Sequence, residues 1–96
     1  MRLFEVNDKT GRMIYLTQER WKHILREHPS LGNCLEFIKQ TLIKPLTIKQ
    51  STSDSYVYLY YQHRNTFPKR YLLVVVKYLN GEGFIITSFY TNKIKD

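Results

Sequence analysis

Cysteine is nearly absent from this sequence, and its scarcity excludes two classes of small protein. The single cysteine, Cys34, has no partner for an internal disulfide, and the chain lacks the Cys and His spacings that bind zinc. A disulfide-stapled or zinc-stabilised domain is therefore excluded, and we predict no metal site. The position of Cys34 near the start of a predicted helix favours a small buried side chain without a chemical role.

Long apolar runs are missing as well. The longest, YLLVVV at 71–76, has the length of a strand, whereas a membrane-spanning helix needs about 18 apolar residues. The first residues, MRLFEVNDKTGR, lack the apolar core of a signal peptide. We therefore expect a soluble cytoplasmic protein with no membrane partner.

The motifs of several enzyme classes are also absent. The chain has no Gly-rich phosphate-binding loop, no H-E-x-x-H motif and no serine in a nucleophile elbow. We predict no cofactor. An enzyme built from this chain has to use histidine, arginine, lysine, tyrosine and threonine. That set suits metal-free RNA cleavage, in which a base removes the 2′-hydroxyl proton, cations stabilise the phosphorane and an acid protonates the leaving oxygen.

Acidic residues are few, and the charge balance points to a polyanionic partner. Eight Asp and Glu stand against 15 Lys and Arg in 96 residues, which gives a formal net charge of +7. A field of this sign attracts nucleic acid or an acidic protein, although it also keeps a small protein soluble. The length suits one domain, 1–96, and the eight Tyr, five Phe and one Trp are expected to supply much of its core.

The apolar pattern predicts strands at both ends of the chain and two helices between them. RLFEV and MIYL alternate as strands, Thr17 is an N-cap for the helix QERWKHILREH, and Pro29 ends it. A second helix, CLEFIKQTLIK, stops at Pro45. Four strand segments follow, and NGEG joins the last two as a hairpin. We predict an α+β fold in which N-terminal helices pack on a four- to five-stranded antiparallel sheet.

Two histidines on the first helix, in WKHILREHP, are candidates for proton transfer. At 100° per residue, His28 falls on the apolar stripe of Trp21 and Leu25, while His23 falls on the charged side. A half-buried His28 is suited to act as an acid or base, or else to cap the end of the helix as a neutral imidazole. His23 is either a proton-transfer group or a solvated surface side chain.

Alternation along the later strands predicts which side chains share a face. Tyr56, Tyr58 and Tyr60 form a row that is either a platform for nucleotide bases or ordinary sheet packing, and we favour packing. In the hairpin, even-numbered residues from 70 to 76 are expected to share a face with the odd-numbered residues from 85 to 91. The basic loop QHRNTFPKR is the better site for an anion, through Arg64, Lys69 and Arg70.

Three segments resemble one family. LTQERWKHILREHPSL at 16–31 resembles the pattern Thr-x-x-x-Trp-x-His-Ile-x-x-x-His-Pro of phage and mobile-element nuclease domains. These are grouped with barnase, EndoU, colicin-type and RelE-like ribonucleases as the BECR fold. TLIKPLTI at 41–48 and the pair YLLVVVKY and GFIITSFYT are similar to further segments of that family. The resemblance covers about 15–93, and it departs from the pattern at TSFY, where a small residue is expected before the aromatic.

The resemblance implies a metal-independent ribonuclease cleft. His23, His28 and Thr87 match positions of the family's motifs, and Tyr90 and Lys93 follow where its pattern continues. We therefore expect an endoribonuclease, as in toxins and mobile-element effectors, with a catalytic group and an RNA-binding group. The alternatives are a non-catalytic nucleic-acid-binding module and a basic domain held by an acidic antitoxin or immunity protein. The catalytic group is His23, His28, Thr87 and Tyr90, and the binding group is Arg64, Lys69, Arg70 and Lys93.

Overall fold

A computed structural model describes residues 1–64 and 69–95 and has the predicted order of elements. The middle of the predicted basic loop, NTFP at 65–68, lies outside the described residues. Helix α1 begins after Thr17, whose Oγ1 accepts a hydrogen bond from the Arg20 N–H at 3.1 Å, as expected for an N-cap. The elements are β1 Arg2–Asn7, β2 Met13–Thr17, α1 Gln18–Glu27, a 3₁₀ turn Pro29–Leu31, α2 Leu35–Ile43, β3 Thr47–Gln50, β4 Val57–His63, β5 Tyr71–Leu79 and β6 Glu82–Thr91.

The α+β class is confirmed, but the predicted number of strands and their all-antiparallel arrangement were wrong. The described strands form one six-stranded sheet in the order β1-β2-β6-β5-β4-β3, and β2 runs parallel to β6. The parallel contact is short and joins Ile14 to Gly83 and Tyr15 to Phe84. A parallel pair requires a long crossover, which the two helices and three strands between β2 and β6 provide. Because alternation identifies strands but not their neighbours, the sequence pattern did not reveal this pairing.

Both helices pack on one face of the sheet, which we call the helix face. The core there is mainly apolar, and Ile24 of α1 and Ile38 and Leu42 of α2 are fully buried in it. Tyr58 and Tyr60 of the predicted tyrosine row point into this face and serve packing, as favoured above, whereas Tyr56 lies before β4 and is exposed. The strand residues buried against the helices are Ile14, Leu16, Tyr60, Leu72, Val74, Val76 and Ile85.

The opposite side of the sheet, which we call the open face, carries the alternate residues of the same strands. The register sets Thr87 beside Val75 and Phe89 beside Leu73, both on this face. Our prediction had assigned Thr87 and Phe89 to the face of Val74 and is wrong. A β-bulge between Val75 and Val76 places an extra residue in β6, which shifts every later side chain of that strand to the other face.

Gly83 lies at the short parallel contact and packs closely against side chains of β5. A Cβ at this position would lie 2.8 Å from a ring carbon of Tyr78 and 2.9 Å from a methyl of Val76. We expect Gly83→Ala to lower the free energy of unfolding by about 1–3 kcal/mol, because overpacking forces its neighbours apart. Urea denaturation measures the change. The matched control is Gly32→Ala, where the nearest atom is 3.6 Å away, and equal destabilisation of the two variants would contradict this account.

Candidate functional site

Most of the predicted site residues meet at one end of the sheet. Strand β4 ends at His63, β5 begins at Tyr71 and β6 ends at Thr91, and these three residues are adjacent in register. The backbone N–H of Arg64 donates to the Arg70 carbonyl at 2.7 Å and closes the base of the loop. We call this region the cationic end. Its basic side chains are His63, Arg64, Lys69, Arg70 and Lys93.

Arg64 is the least exposed of these five side chains. Its guanidinium carbon lies 3.5 Å from the centre of the Phe37 ring, which is a cation–π contact with helix α2. The Arg64 Nε atom is buried, and it has no hydrogen-bond partner in the part of the chain that the structure describes. A buried donor without a partner is costly in water-excluded surroundings. Because Nε itself is closed to solvent, an anionic ligand would bind to the rest of the Arg64 guanidinium.

Tyr90 lies beside Arg64 on the helix face. Its hydroxyl is 3.1 Å from the Cys34 Sγ, at the start of α2. Burial raises the pKa of Tyr90, the contact with Cys34 raises it further, and the nearby Arg64 charge opposes this. The hydroxyl therefore stays protonated at neutral pH and is available to donate a hydrogen bond. Cys34 is buried, as expected, but it contacts Tyr90 and thus borders the site.

His28 lies against the last part of β6. Its backbone N–H donates to the Ile24 carbonyl at 2.7 Å and ends α1. Its half-buried ring stacks on Phe89, with the ring centres 5.3 Å apart and the planes 27° apart. Strand β2 pairs with β6 only at Gly83 and Phe84, so α1 rather than a strand flanks the later part of β6. His28 therefore lies at the edge of β6 against Phe89, whereas the neighbouring Tyr90 points to the other face of the sheet.

The structure does not bring His23 and Thr87 into the same group. His23 is exposed and its Nε2 lies 3.4 Å from Glu27 Oε1, as in an ordinary surface pair. It borders a shallow surface depression with Thr17, Glu19 and Arg20, about 7.5 Å along the helix from His28. Thr87 is half-buried in mid-strand on the open face, beside Val75, two residues before Phe89.

Two groupings of polar and aromatic residues were not predicted. His63 and Tyr71 face each other on the open face at the cationic end, with ring centres 5.2 Å apart. Alternation and the strand pairing together could have found this pair. The second grouping is centred on Asp8 in the β1–β2 loop, and no short-range signal indicates it, since its partners are 52 and 70 residues away along the chain.

The Asp8 network fixes the β1–β2 loop onto the helix face. Asp8 is only 6% exposed. Its Oδ2 accepts hydrogen bonds from the hydroxyls of Tyr60 and Tyr78, the latter at 3.1 Å. Its Oδ1 accepts from the backbone N–H of Thr10 and of Arg12 at 2.9 Å each. Since all these donors belong to the protein, the network holds the fold together and leaves the carboxylate little capacity for a ligand.

Opposing influences set the pKa values of this network. Burial disfavours the charge on Asp8, but the hydrogen bonds from Tyr60, Thr10 and the Arg12 backbone outweigh it and lower the pKa of Asp8. Burial raises the pKa of Tyr78 to about 12, and the Asp8 charge contributes to the rise. Burial and the bond to Asp8 also raise the pKa of Tyr60. The tyrosines therefore remain donors and Asp8 remains the acceptor.

Among residues 1–64 and 69–95, no three His, Cys, Asp or Glu side chains converge in a way that could hold a metal ion. No helix in these ranges has the length and apolar character to cross a membrane.

The fold and this site define a small α+β domain with a cationic sheet end, bordered by a tyrosine, a histidine and a buried arginine nitrogen. Comparison with models of known families, with curated proteins and with solved structures finds no match to this chain.

Proposed function

We propose that this protein is a metal-independent endoribonuclease whose active site lies between the cationic end and His28. The observation that carries the proposal is the Arg64 guanidinium, held against Phe37 with a buried Nε that lacks a partner among the described residues. A phosphate is the ligand that such a group binds best, because the guanidinium offers a fork of donors matched to phosphate oxygens. The net charge of +7 favours a nucleic acid as the source of that phosphate.

The neighbouring groups suit the chemistry of RNA cleavage. His28 takes the 2′-hydroxyl proton, and the oxygen attacks phosphorus. Arg64 binds the charged phosphorane, and the protonated Tyr90 hydroxyl donates to one of its oxygens. The bond from phosphorus to O5′ breaks as O5′ takes a proton from a water molecule, and the hydroxide that remains takes the proton held by His28, which returns to its starting form. The products are a 2′,3′-cyclic phosphate and a 5′-hydroxyl. Such an activity would suit a toxin or mobile-element effector restrained by an acidic inhibitor.

A cleavage assay separates the two histidines. His28→Phe keeps an aromatic ring to stack on Phe89 but removes proton transfer, so we expect it to lower RNA cleavage in excess EDTA by about 10²- to 10⁴-fold. His23→Phe is the matched control, because His23 is exposed and paired with Glu27, and it should retain wild-type activity. Gel analysis of a labelled RNA measures both. Intact RNA with the folded wild-type protein, or equal loss in both variants, would contradict the proposed site.

A non-catalytic nucleic-acid-binding module is the second candidate. It is favoured by the stacking of the His28 ring on Phe89 and by the pairing of His23 with Glu27, which give both histidines structural partners. In that case wild-type protein binds RNA without cutting it, with an affinity that falls steeply with salt. His28→Phe would then leave the affinity unchanged.

A further inference from the structure

The pair His63 and Tyr71 offers an aromatic surface at the cationic end. The two residues are directly opposite each other on β4 and β5, on the open face. Their rings are 5.2 Å apart and inclined by 36°. His63 is exposed and Tyr71 is half-buried, so part of this surface faces solvent. Aromatic rings at such positions stack on nucleotide bases, since every base presents a flat π-surface.

Basic residues lie near this aromatic pair in the chain and beyond the neighbouring strand. Arg70 precedes Tyr71 in the chain and is exposed, as is Lys69. On the other side, Tyr71 is adjacent to Thr91, whose Oγ1 accepts a weak hydrogen bond from the Lys93 backbone N–H at 3.4 Å. A base on the aromatic pair would therefore lie at a strand end where basic residues precede β5 and follow β6, and these are available to the phosphates on either side of the base.

We infer that the substrate is single-stranded RNA, with one unpaired base stacked on His63 and Tyr71 and its flanking phosphates on Arg70 and Lys93. The inference rests on the proposed function and names its substrate class. In a duplex the bases are stacked on one another and their faces are inaccessible, so this surface selects unpaired nucleotides. His63 and Tyr71 then determine which RNA is bound, while Arg64, Tyr90 and His28 act on the phosphate.

Binding measurements test this selection directly. We expect fluorescence anisotropy, with EDTA present and the His28→Phe protein to prevent cleavage, to show tighter binding to a single strand than to the duplex of the same sequence. In that background Tyr71→Leu and His63→Ala should each weaken single-strand binding roughly 5- to 100-fold. Tyr71→Phe, which keeps the ring, should bind normally. Tyr56→Leu is the matched control, because Tyr56 is an exposed tyrosine just before β4, at its far end from His63.

Salt dependence separates stacking from charge. We expect Arg70→Ala to reduce the slope of the logarithm of the binding constant against the logarithm of the salt concentration by about 0.7 in magnitude, because one phosphate contact is lost. Tyr71→Leu should weaken binding without changing the slope. Equal affinity for duplex and single strand, or wild-type affinity in both Tyr71→Leu and His63→Ala, would overturn the inference even if RNA is cleaved. Intact RNA with selective single-strand binding would instead refute the nuclease and leave the stacking surface standing.

Discussion

Replacing Arg64 with lysine is expected to reduce the kcat/KM of RNA cleavage by at least about 100-fold. Lysine keeps the positive charge but not the planar fork of donors, and it cannot stack flat on Phe37 as the guanidinium does at 3.5 Å. The phosphorane would then lose a preorganised partner at the moment its charge develops. Initial rates on a short labelled RNA, measured in EDTA over a range of substrate concentrations, give the change.

The control for this experiment is Arg20→Lys on helix α1. Arg20 is exposed and borders the depression with His23, away from the cationic end. We expect its activity to match that of the wild type, and thermal melting should show that both variants are folded. If Arg64→Lys cleaves RNA as fast as Arg20→Lys, the guanidinium does not bind the reacting phosphate and the proposed site is wrong.

Local signals in the sequence predicted helix α1 well. Thr17 supplies the capping oxygen and the helix ends at Glu27, just before His28 and Pro29. Proline disfavours helical geometry in the residue before it, so both limits are set by residues within the segment itself. The separation of His23 from His28 also followed from the helical repeat and is confirmed by the exposed His23 and the half-buried His28.

The faces of β6 could not be predicted from alternation, because one bulge reverses it. Ile85 keeps the predicted face, beside Val76, but beyond the bulge Thr87 is beside Val75 and Tyr90 is beside Leu72. This reversal determines which side chains of β6 belong to the candidate site. It turns Tyr90 toward Cys34 and Arg64 on the helix face and leaves Thr87 on the open face, away from them. Nothing in FIITSFYT marks the extra residue.

Contacts between segments that are distant in the chain could not be predicted from the sequence either. The cluster of basic residues was evident from composition, but its position next to Tyr90 depends on three strands ending at the same edge of the sheet. Phe37, which holds Arg64, lies on a helix whose pattern gives no sign of a charged partner. Pairings of this kind depend on tertiary packing, which single-sequence patterns do not encode.

Asp8→Asn is expected to lower the free energy of unfolding by about 3 kcal/mol at pH 7, because hydrogen bonds to a buried charge are strong. That is a large part of the stability of a small domain. Both carboxylate oxygens of Asp8 accept hydrogen bonds, whereas an amide offers one acceptor oxygen, so either the tyrosine hydroxyls or the backbone N–H groups would face an NH2 group. Urea denaturation measures the change. Asp54→Asn is the control, since Asp54 pairs with Lys77 at the surface and should matter much less.

The pH dependence of this difference identifies its cause. The pKa of Asp8 is lower in the folded protein than in the unfolded chain. Its charge therefore stabilises the fold above about pH 4, the ordinary range of aspartate, and this contribution is lost as the pH falls through the folded pKa. We expect the gap in unfolding free energy between wild type and Asp8→Asn to be widest near neutral pH and to shrink toward pH 2. A gap that stays constant over this range would show that shape, and not the carboxylate charge, holds the β1–β2 loop against Tyr60 and Tyr78.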